Sequence, residues 1–156
     1  YSGVRRRFDI QVRTENLVYI DDYAHHPEEL RACISSAREL YPGKRIAGIF
    51  QPHLFSRTRD FADGFANSLS LLDDAILLDI YPARELPISG VNSNLILDKM
   101  SLQTKMLCRK EDVLSELKQK SFDVLLTLGA GDIDQLVIPI RDYLINSYTK
   151  PRAHEV

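Results

Sequence analysis

Ala75-Ile76-Leu77-Leu78-Asp79-Ile80 is a nearly unbroken apolar run. A strand with one wet face alternates apolar and polar residues, whereas a strand covered on both faces has no polar side to present. The run therefore predicts a strand buried front and back in a parallel sheet. The same texture recurs on either side of it. Arg45 to Phe50 and Phe122 to Leu128 read as two more strands, with shorter ones at Leu17-Val18-Tyr19-Ile20 and Met106-Leu107-Cys108. Longer amphipathic stretches separate them: Glu28 to Leu40, Thr58 to Leu71, Ser93 to Leu102, Asp112 to Lys120 and Ile133 to Ser147. In the first, Leu30, Ile34, Ala37 and Leu40 recur at helical spacing, Pro27 suits the first turn, and Tyr41-Pro42-Gly43 ends the helix. In the second, Phe61, Phe65 and Leu69 share a face. Pro139 predicts either a kink or a second start in the last helix.

Strand and helix alternate about five times, which predicts an α/β domain with helices on both faces of the sheet. The expected architecture is a three-layer, Rossmann-like domain with a mostly parallel sheet of about five to six strands. Residues 1–13 are basic and loop-like and read as a linker, residues 14–150 as the domain, and residues 151–156 as a disordered tail. The chain opens at Tyr1 without a methionine, so it is expected to be a piece of something longer.

Composition narrows the partners. The net charge of −2 gives no nucleic-acid footprint and no basic membrane surface, so any anion site must be built locally from a few cations. The two cysteines, Cys33 and Cys108, lie far apart and outside CxxC spacing. They predict neither a disulfide framework nor a zinc cluster, and they suit a reducing cytoplasm. No apolar run reaches the length of a membrane span, and a cytoplasmic location is expected.

Ligands of open α/β sheets bind outside the carboxyl ends of the strands. That rule singles out Asp21 to Pro27, Gln51 to Arg59, Asp79 to Val91 and Gly129-Ala130-Gly131-Asp132. Three of the four histidines fall in the first two of these loops. In the first, Asp21, Asp22, Tyr23, His25 and His26 suit ribose hydroxyls, phosphate or metal; equally, the aspartates could do no more than satisfy backbone donors. Adjacent histidines point apart, and neither HExxH nor paired cysteines accompanies them, so no metal site is expected. In the second, His53, Arg57 and Arg59 precede and open a helix, whose free N–H groups favour an anion. A guanidinium matches a carboxylate or phosphate in two parallel hydrogen bonds. The competing reading pairs one arginine with Asp60 or Asp63 on the surface. Asp79 and Glu85 are weaker candidates, with Pro82 and Pro87 shaping their loop. The glycines at 129 and 131 lack a dinucleotide fingerprint and read as a tight turn, and no GxxxxGK[ST] phosphate loop occurs.

The segments Asp22-Tyr23-Ala24-His25-His26-Pro27, Phe50-Gln51-Pro52-His53 and Ser56-Arg57-Thr58-Arg59-Asp60 closely resemble the Mur ligases that join L-alanine to UDP-N-acetylmuramate. Asp79 to Ile88, Leu128 to Ile133 and the opening Gly3-Val4-Arg5-Arg6-Arg7-Phe8 add to the match, which spans most of the chain in order. Leu54 stands where the family commonly has arginine, and Arg84 where it has glycine. The first departure removes one cation from the site; the second alters loop geometry.

The resemblance implies a three-domain enzyme of peptidoglycan precursor synthesis, of which this chain is the carboxy-terminal domain. ATP and Mg2+ would be bound mainly by the central domain, to which residues 1–13 would be the linker, and none in this fragment. The muramic acid carboxylate would be activated as an acyl phosphate and attacked by the alanine amine. The third domain would dock on its own central domain, exclude water and present the amino acid. His53 and Arg57, supported by Arg59, would hold the alanine carboxylate; Asp22, Tyr23, His25 and, more weakly, His26 would face ATP on closure. L-alanine, ATP and UDP-N-acetylmuramate are the implied partners, with no nucleic acid or membrane, and the isolated domain should catalyse nothing. Two other readings remain open from the residues alone. One is a free-standing Rossmann-type module binding an anionic metabolite or nucleotide. The other is a small hydrolase using Asp22, His25 and His26 with a metal.

Overall fold

In a computed structural model, residues 6–149 are described. Among these residues, five α-helices and six strands follow in order: β1 (Asp9–Arg13), β2 (Val18–Asp22), α1 (Pro27–Leu40), β3 (Ile46–Phe50), α2 (Phe55–Leu69), β4 (Asp74–Leu77), α3 (Asn94–Leu97), β5 (Lys105–Leu107), α4 (Val113–Lys118), β6 (Val124–Leu128) and α5 (Val137–Thr149). One sheet holds all six strands in the order β1-β2-β6-β3-β4-β5. Every pairing is parallel except β1 with β2. The three-layer, mostly parallel architecture expected from the alternation is present.

The central strands β3 and β6 are buried at every residue, which is why they carry no polar alternation. Two separate cores flank them. Ile20, Phe50, Leu77 and Leu126 pack on one face with Leu30 and Ile34 of α1, Phe65 of α2 and Ile96 of α3. Tyr19, Ile49, Ile76 and Leu125 pack on the other with Val113 and Leu117 of α4 and Ile140 and Leu144 of α5. None of the described helices is long and apolar enough to cross a membrane.

Four expectations need correction. Residues 9–13, read as part of a loop-like linker, form the antiparallel edge strand β1, with a register shift between Ile10 and Val12. Asp9-Ile10-Gln11-Val12-Arg13 does alternate, but basic neighbours masked the signal. The apolar run from Ala75 leaves the sheet after Leu77, because the Ser93 hydroxyl takes the Leu78 carbonyl at 2.6 Å. The helix expected over 93–102 is only Asn94–Leu97, since Lys105 Nζ donates to the Leu97 and Met100 carbonyls at 2.9 and 2.8 Å and draws the chain into β5. The helix expected from Thr58 begins three residues earlier, at Phe55.

Pro139 lies in the first turn of α5, after a 3-10 segment Asp132–Leu136. It marks the second start, where a missing N–H costs nothing. The proposed tail at 151–156, like residues 1–5, lies outside the described residues.

A buried polar relay ties the segment before β1 to β2 and to β6 at the centre of the sheet. Thr127 Oγ1 donates to Asp21 Oδ1 at 2.7 Å, so the Tyr19 hydroxyl, 2.9 Å away, must donate to Thr127. Arg6 closes the chain with Nε 2.7 Å from Asp21 Oδ2. Burial pushes the Tyr19 phenol well above its ordinary range, so it stays a donor.

Candidate functional site

The loops after β2, β3, β4 and β6 all open at the carboxyl edge of the sheet. Strand order brings them together: β3 lies between β6 and β4, and β6 touches β2.

In the first loop, Asp22 does not face outward. Its oxygens accept the N–H groups of Phe8 and Ala24, each at 2.8 Å, so it folds the loop and holds the residue before β1. Burial raises its carboxyl despite those donors. Pro27 starts α1, and Glu29 reaches back to accept the N–H groups of His25 and His26 at 3.0 Å. Burial opposes the charge on Glu29, yet these donors and His25 hold its carboxyl below the usual range. His25 Nδ1 lies 3.1 Å from the Tyr23 carbonyl and 3.4 Å from Glu29 Oε1. Both neighbours only accept, so in the neutral ring Nδ1 carries the proton and Nε2 the lone pair.

The second loop brings His53 and Arg57 together. They are one helical turn apart at the start of α2, and Arg57 Nη1 donates to His53 Nδ1 at 3.0 Å. A guanidinium cannot accept, so neutral His53 carries its proton on Nε2. Burial first, then the charge of Arg57, lowers the His53 imidazole below its ordinary value. His26 is lowered by the same two causes. Among the described residues no carboxylate pairs with Arg57. Arg59 behaves otherwise: its Nε meets Asp60 at 2.9 Å with both side chains about half exposed, so it stands apart from His53 and Arg57. The surface pairing anticipated for one of the two arginines is the one Arg59 makes.

Rings line this edge in a row. Tyr23 meets His25 edge-on at 5.2 Å between centroids, His25 meets His53 at 6.1 Å, and His53 stacks on Tyr81 at 5.6 Å with 18° between planes. Arg6 sits 5.4 Å from the Tyr23 ring. His26 turns to Phe61 at 6.5 Å, and a recess of about 430 Å³ lies beside this pair, between α1 and α2. A larger recess of about 450 Å³, lined by Arg7, Phe8, Asp22, Tyr23 and Cys33, contains neither His53 nor Arg57. Among the described residues no group of three or more His, Cys, Asp or Glu side chains could hold a metal ion.

Several supporting residues escaped sequence reading. Tyr81 is drawn to His53 by an isolated parallel bridge, with Tyr81 N–H on the Pro52 carbonyl and Leu54 N–H on the Tyr81 carbonyl, each at 2.8 Å. Buried Gln51 donates to Asp132 at 2.6 Å and accepts the Ile133 N–H at 3.0 Å, locking the glycine turn after β6. Gly129 adopts φ 146°, and a Cβ on Gly131 would fall 2.5 Å from Gln51 Oε1 and 2.6 Å from the Tyr81 ring. An amide glutamine directly after an apolar strand was the one legible hint, since such a group must find partners.

The family described as "Mur ligase, glutamate ligase domain" matches residues 6–131. The UDP-N-acetylmuramate–L-alanine ligase of Parabacteroides distasonis is 55% identical over 151 residues, covering 97% of this chain and 33% of that protein. The same enzyme of Porphyromonas gingivalis is 59% identical over 145 residues, covering 92% of this chain and 32% of that protein. The chain thus spans about a third of the length of the curated relatives it matches. The crystal structure of UDP-N-acetylmuramate-alanine ligase from Thermotoga maritima superposes with a TM-score of 0.66 at 29% identity, over 92% of this chain and 30% of that one. A domain of a Haemophilus ducreyi ligase, 19% identical, matches over 90% of this chain and 98% of that one with a TM-score of 0.64, and shows the fold alone. This chain belongs to the family of Mur ligase domains described as the glutamate ligase domain.

Proposed function

We propose that this chain is the amino-acid-presenting domain of a ligase that joins L-alanine to UDP-N-acetylmuramate at the expense of ATP. The observation that carries this reading is the Arg57–His53 pair at the carboxyl end of β3, a guanidinium without a carboxylate partner among the described residues. One Nη1–H of Arg57 is engaged by His53, and its other N–H groups are suited to the two oxygens of an amino-acid carboxylate. The neutral imidazole of His53 adds an Nε2–H donor, and Tyr81 stacked on the ring keeps it from turning. His25, with Nδ1 committed, offers Nε2 as an acceptor for an ammonium group or its proton. Opposite tautomers on neighbouring imidazoles suit a zwitterion: a donor for one end and an acceptor for the other.

Holding the carboxylate aims the amine, and this is the domain's contribution to rate. Tyr23, His25 and His26 form the face that closes toward ATP, with Asp22 shaping that face from beneath. The relatives' length leaves room for the parts that would bind the UDP-sugar, ATP and Mg2+, on which this domain would dock, and a reaction using ATP and a UDP-sugar belongs in the cytoplasm. Leu54 supplies no charge where arginine is common, so Arg57 carries the carboxylate with less help.

Replacing Arg57 with alanine in the full-length ligase should raise the KM for alanine roughly ten- to a hundredfold, the loss of about 1.5–3 kcal/mol expected for a charged hydrogen bond. The KM for the UDP-sugar should stay within about twofold. An unchanged alanine KM refutes the role of Arg57.

A further inference from the structure

The amino terminus of α2 is capped from a distance. Its N-cap residue, Leu54, has no side-chain acceptor and sits in the left-handed region with φ 73°. The first N–H groups of a helix need partners, and a carboxylate suits them best. Glu85, 29 residues downstream of Ser56, supplies it: Oε1 accepts the Ser56 N–H at 3.0 Å and Oε2 accepts the Ser56 hydroxyl. The Phe55 N–H adds a third donor, and these bonds hold the Glu85 carboxyl below its ordinary range. The anion position expected at this helix end is therefore filled from within the chain.

Glu85 is itself fixed by a tight turn. Its N–H donates to the Pro82 carbonyl at 2.9 Å, and Ala83 takes a positive φ of 54°. The root of that turn is Tyr81, bridged to Pro52 and Leu54. The chain around Leu54 is thus clamped on one side by Tyr81 and on the other by Glu85. Arg57 follows Ser56 directly and must reach back one turn to His53, so any rotation of the first turn of α2 moves its guanidinium.

We infer that Glu85, acting through Ser56, is a positioning residue for the amino-acid carboxylate site, anchoring the first turn of α2 so that Arg57 meets His53. This role rests on the reading of Arg57 and His53 given above. Glu85 also lies near enough to His53 to favour its protonation, opposing Arg57 and His25. Removing its charge would shift the His53 titration for two opposed reasons, so the tautomer is the cleaner readout.

Two variants separate position from charge. Ser56→Ala deletes one donor and leaves every charge in place; Glu85→Gln removes the charge and keeps one acceptor. In this chain, the ring 15N shifts of His53 should move from a fixed Nε2–H pattern toward the mixed tautomers of a free imidazole in both variants. In the full-length ligase, the KM for alanine should rise roughly three- to tenfold, with kcat and the KM for the UDP-sugar within about twofold. The double variant should be no worse than Glu85→Gln alone, because the two residues act as one unit. Wild-type His53 shifts and alanine KM in both Ser56→Ala and Glu85→Gln overturn the role of Glu85, and Glu85→Ala, which removes every bond to the first turn of α2, decides it if Glu85→Gln does not fold. An Arg57→Ala enzyme with unchanged alanine KM overturns the site itself, and the role of Glu85 with it. A raised KM for Arg57→Ala beside silent Glu85 and Ser56 variants overturns the positioning alone.

Discussion

Gly131→Ala tests whether the turn after β6 sets the site. The backbone of Gly131 is extended, so alanine meets no conformational penalty there; the cost is one of space. Its Cβ would stand 2.5 Å from Gln51 Oε1 and 2.6 and 2.8 Å from Cγ and Cβ of Tyr81. Ordinary carbon contacts begin near about 3.5 Å, so the Tyr81 ring must withdraw by roughly 0.9 Å or Gln51 must release Ile133. Overpacking of this kind costs about 1–3 kcal/mol. For a domain of this size each kcal/mol lowers Tm by about 2–4 °C, so a drop of roughly 2–12 °C is expected by calorimetry. The ring that withdraws is the one stacked on His53, so the KM for alanine should rise roughly tenfold in the full-length ligase. Gly43→Ala is the control. It has φ 75° with nothing within 4 Å of a new Cβ, so backbone strain of about 1–2 kcal/mol should lower Tm and leave the alanine KM alone. If Gly131→Ala matches wild type in Tm, or matches Gly43→Ala in KM, then Tyr81 does not hold His53 through this turn.

Other outcomes follow from single contacts. Thr127→Val strands the buried Tyr19 hydroxyl and removes a donor from Asp21, and should cost about 2–4 kcal/mol in urea unfolding; adding Tyr19→Phe should recover part of that loss. Because the folded-state value of His53 is depressed, the unfolded chain takes up the proton first. Stability should therefore fall as pH drops from about 6.5 through the lower folded value. As pH falls through that lower folded value, His53 Nδ1 gains a proton and loses Arg57, so the alanine KM should climb at acid pH; a KM that stays flat at every acid pH where the enzyme remains folded would contradict the assigned tautomer. Arg59→Ala removes an exposed pair with Asp60 and a cation near Glu85 but leaves the bonds of Glu85 to Ser56 in place, so Tm and the alanine KM should stay near wild type, as steady-state kinetics can check.

The local chemistry of the chain was enough for much of the architecture. The unalternating runs around Ala75 and Leu125 required a sheet covered twice, and the helical spacing of Leu30, Ile34 and Ala37 required a helix to cover it. The carboxyl-end rule then found the loops holding His25, His26, His53 and Arg57 before any relative was considered. Those features depend on neighbours in sequence, where periodicity speaks. Boundaries set by distant side chains were missed: Ser93 takes the Leu78 carbonyl just past the end of β4 at Leu77, Lys105 ends α3, and Glu85 begins α2.

The same division runs through the site. By itself the sequence determined a parallel sheet, a histidine- and arginine-bearing edge and a family likeness, because each rests on residue type and short spacing. Only the tertiary structure decided which cation is available. Arg57 and Arg59 are two residues apart and chemically identical, yet one turns back to His53 and the other out to Asp60. Only the tertiary structure assigned the tautomers, since the proton on an imidazole follows the partner it meets: a guanidinium at His53, a carbonyl at His25. Those partners are set by a helix start held by Glu85 and a ring held by the turn at Gly131, contacts that cross 29 and more residues of chain and leave no period to read.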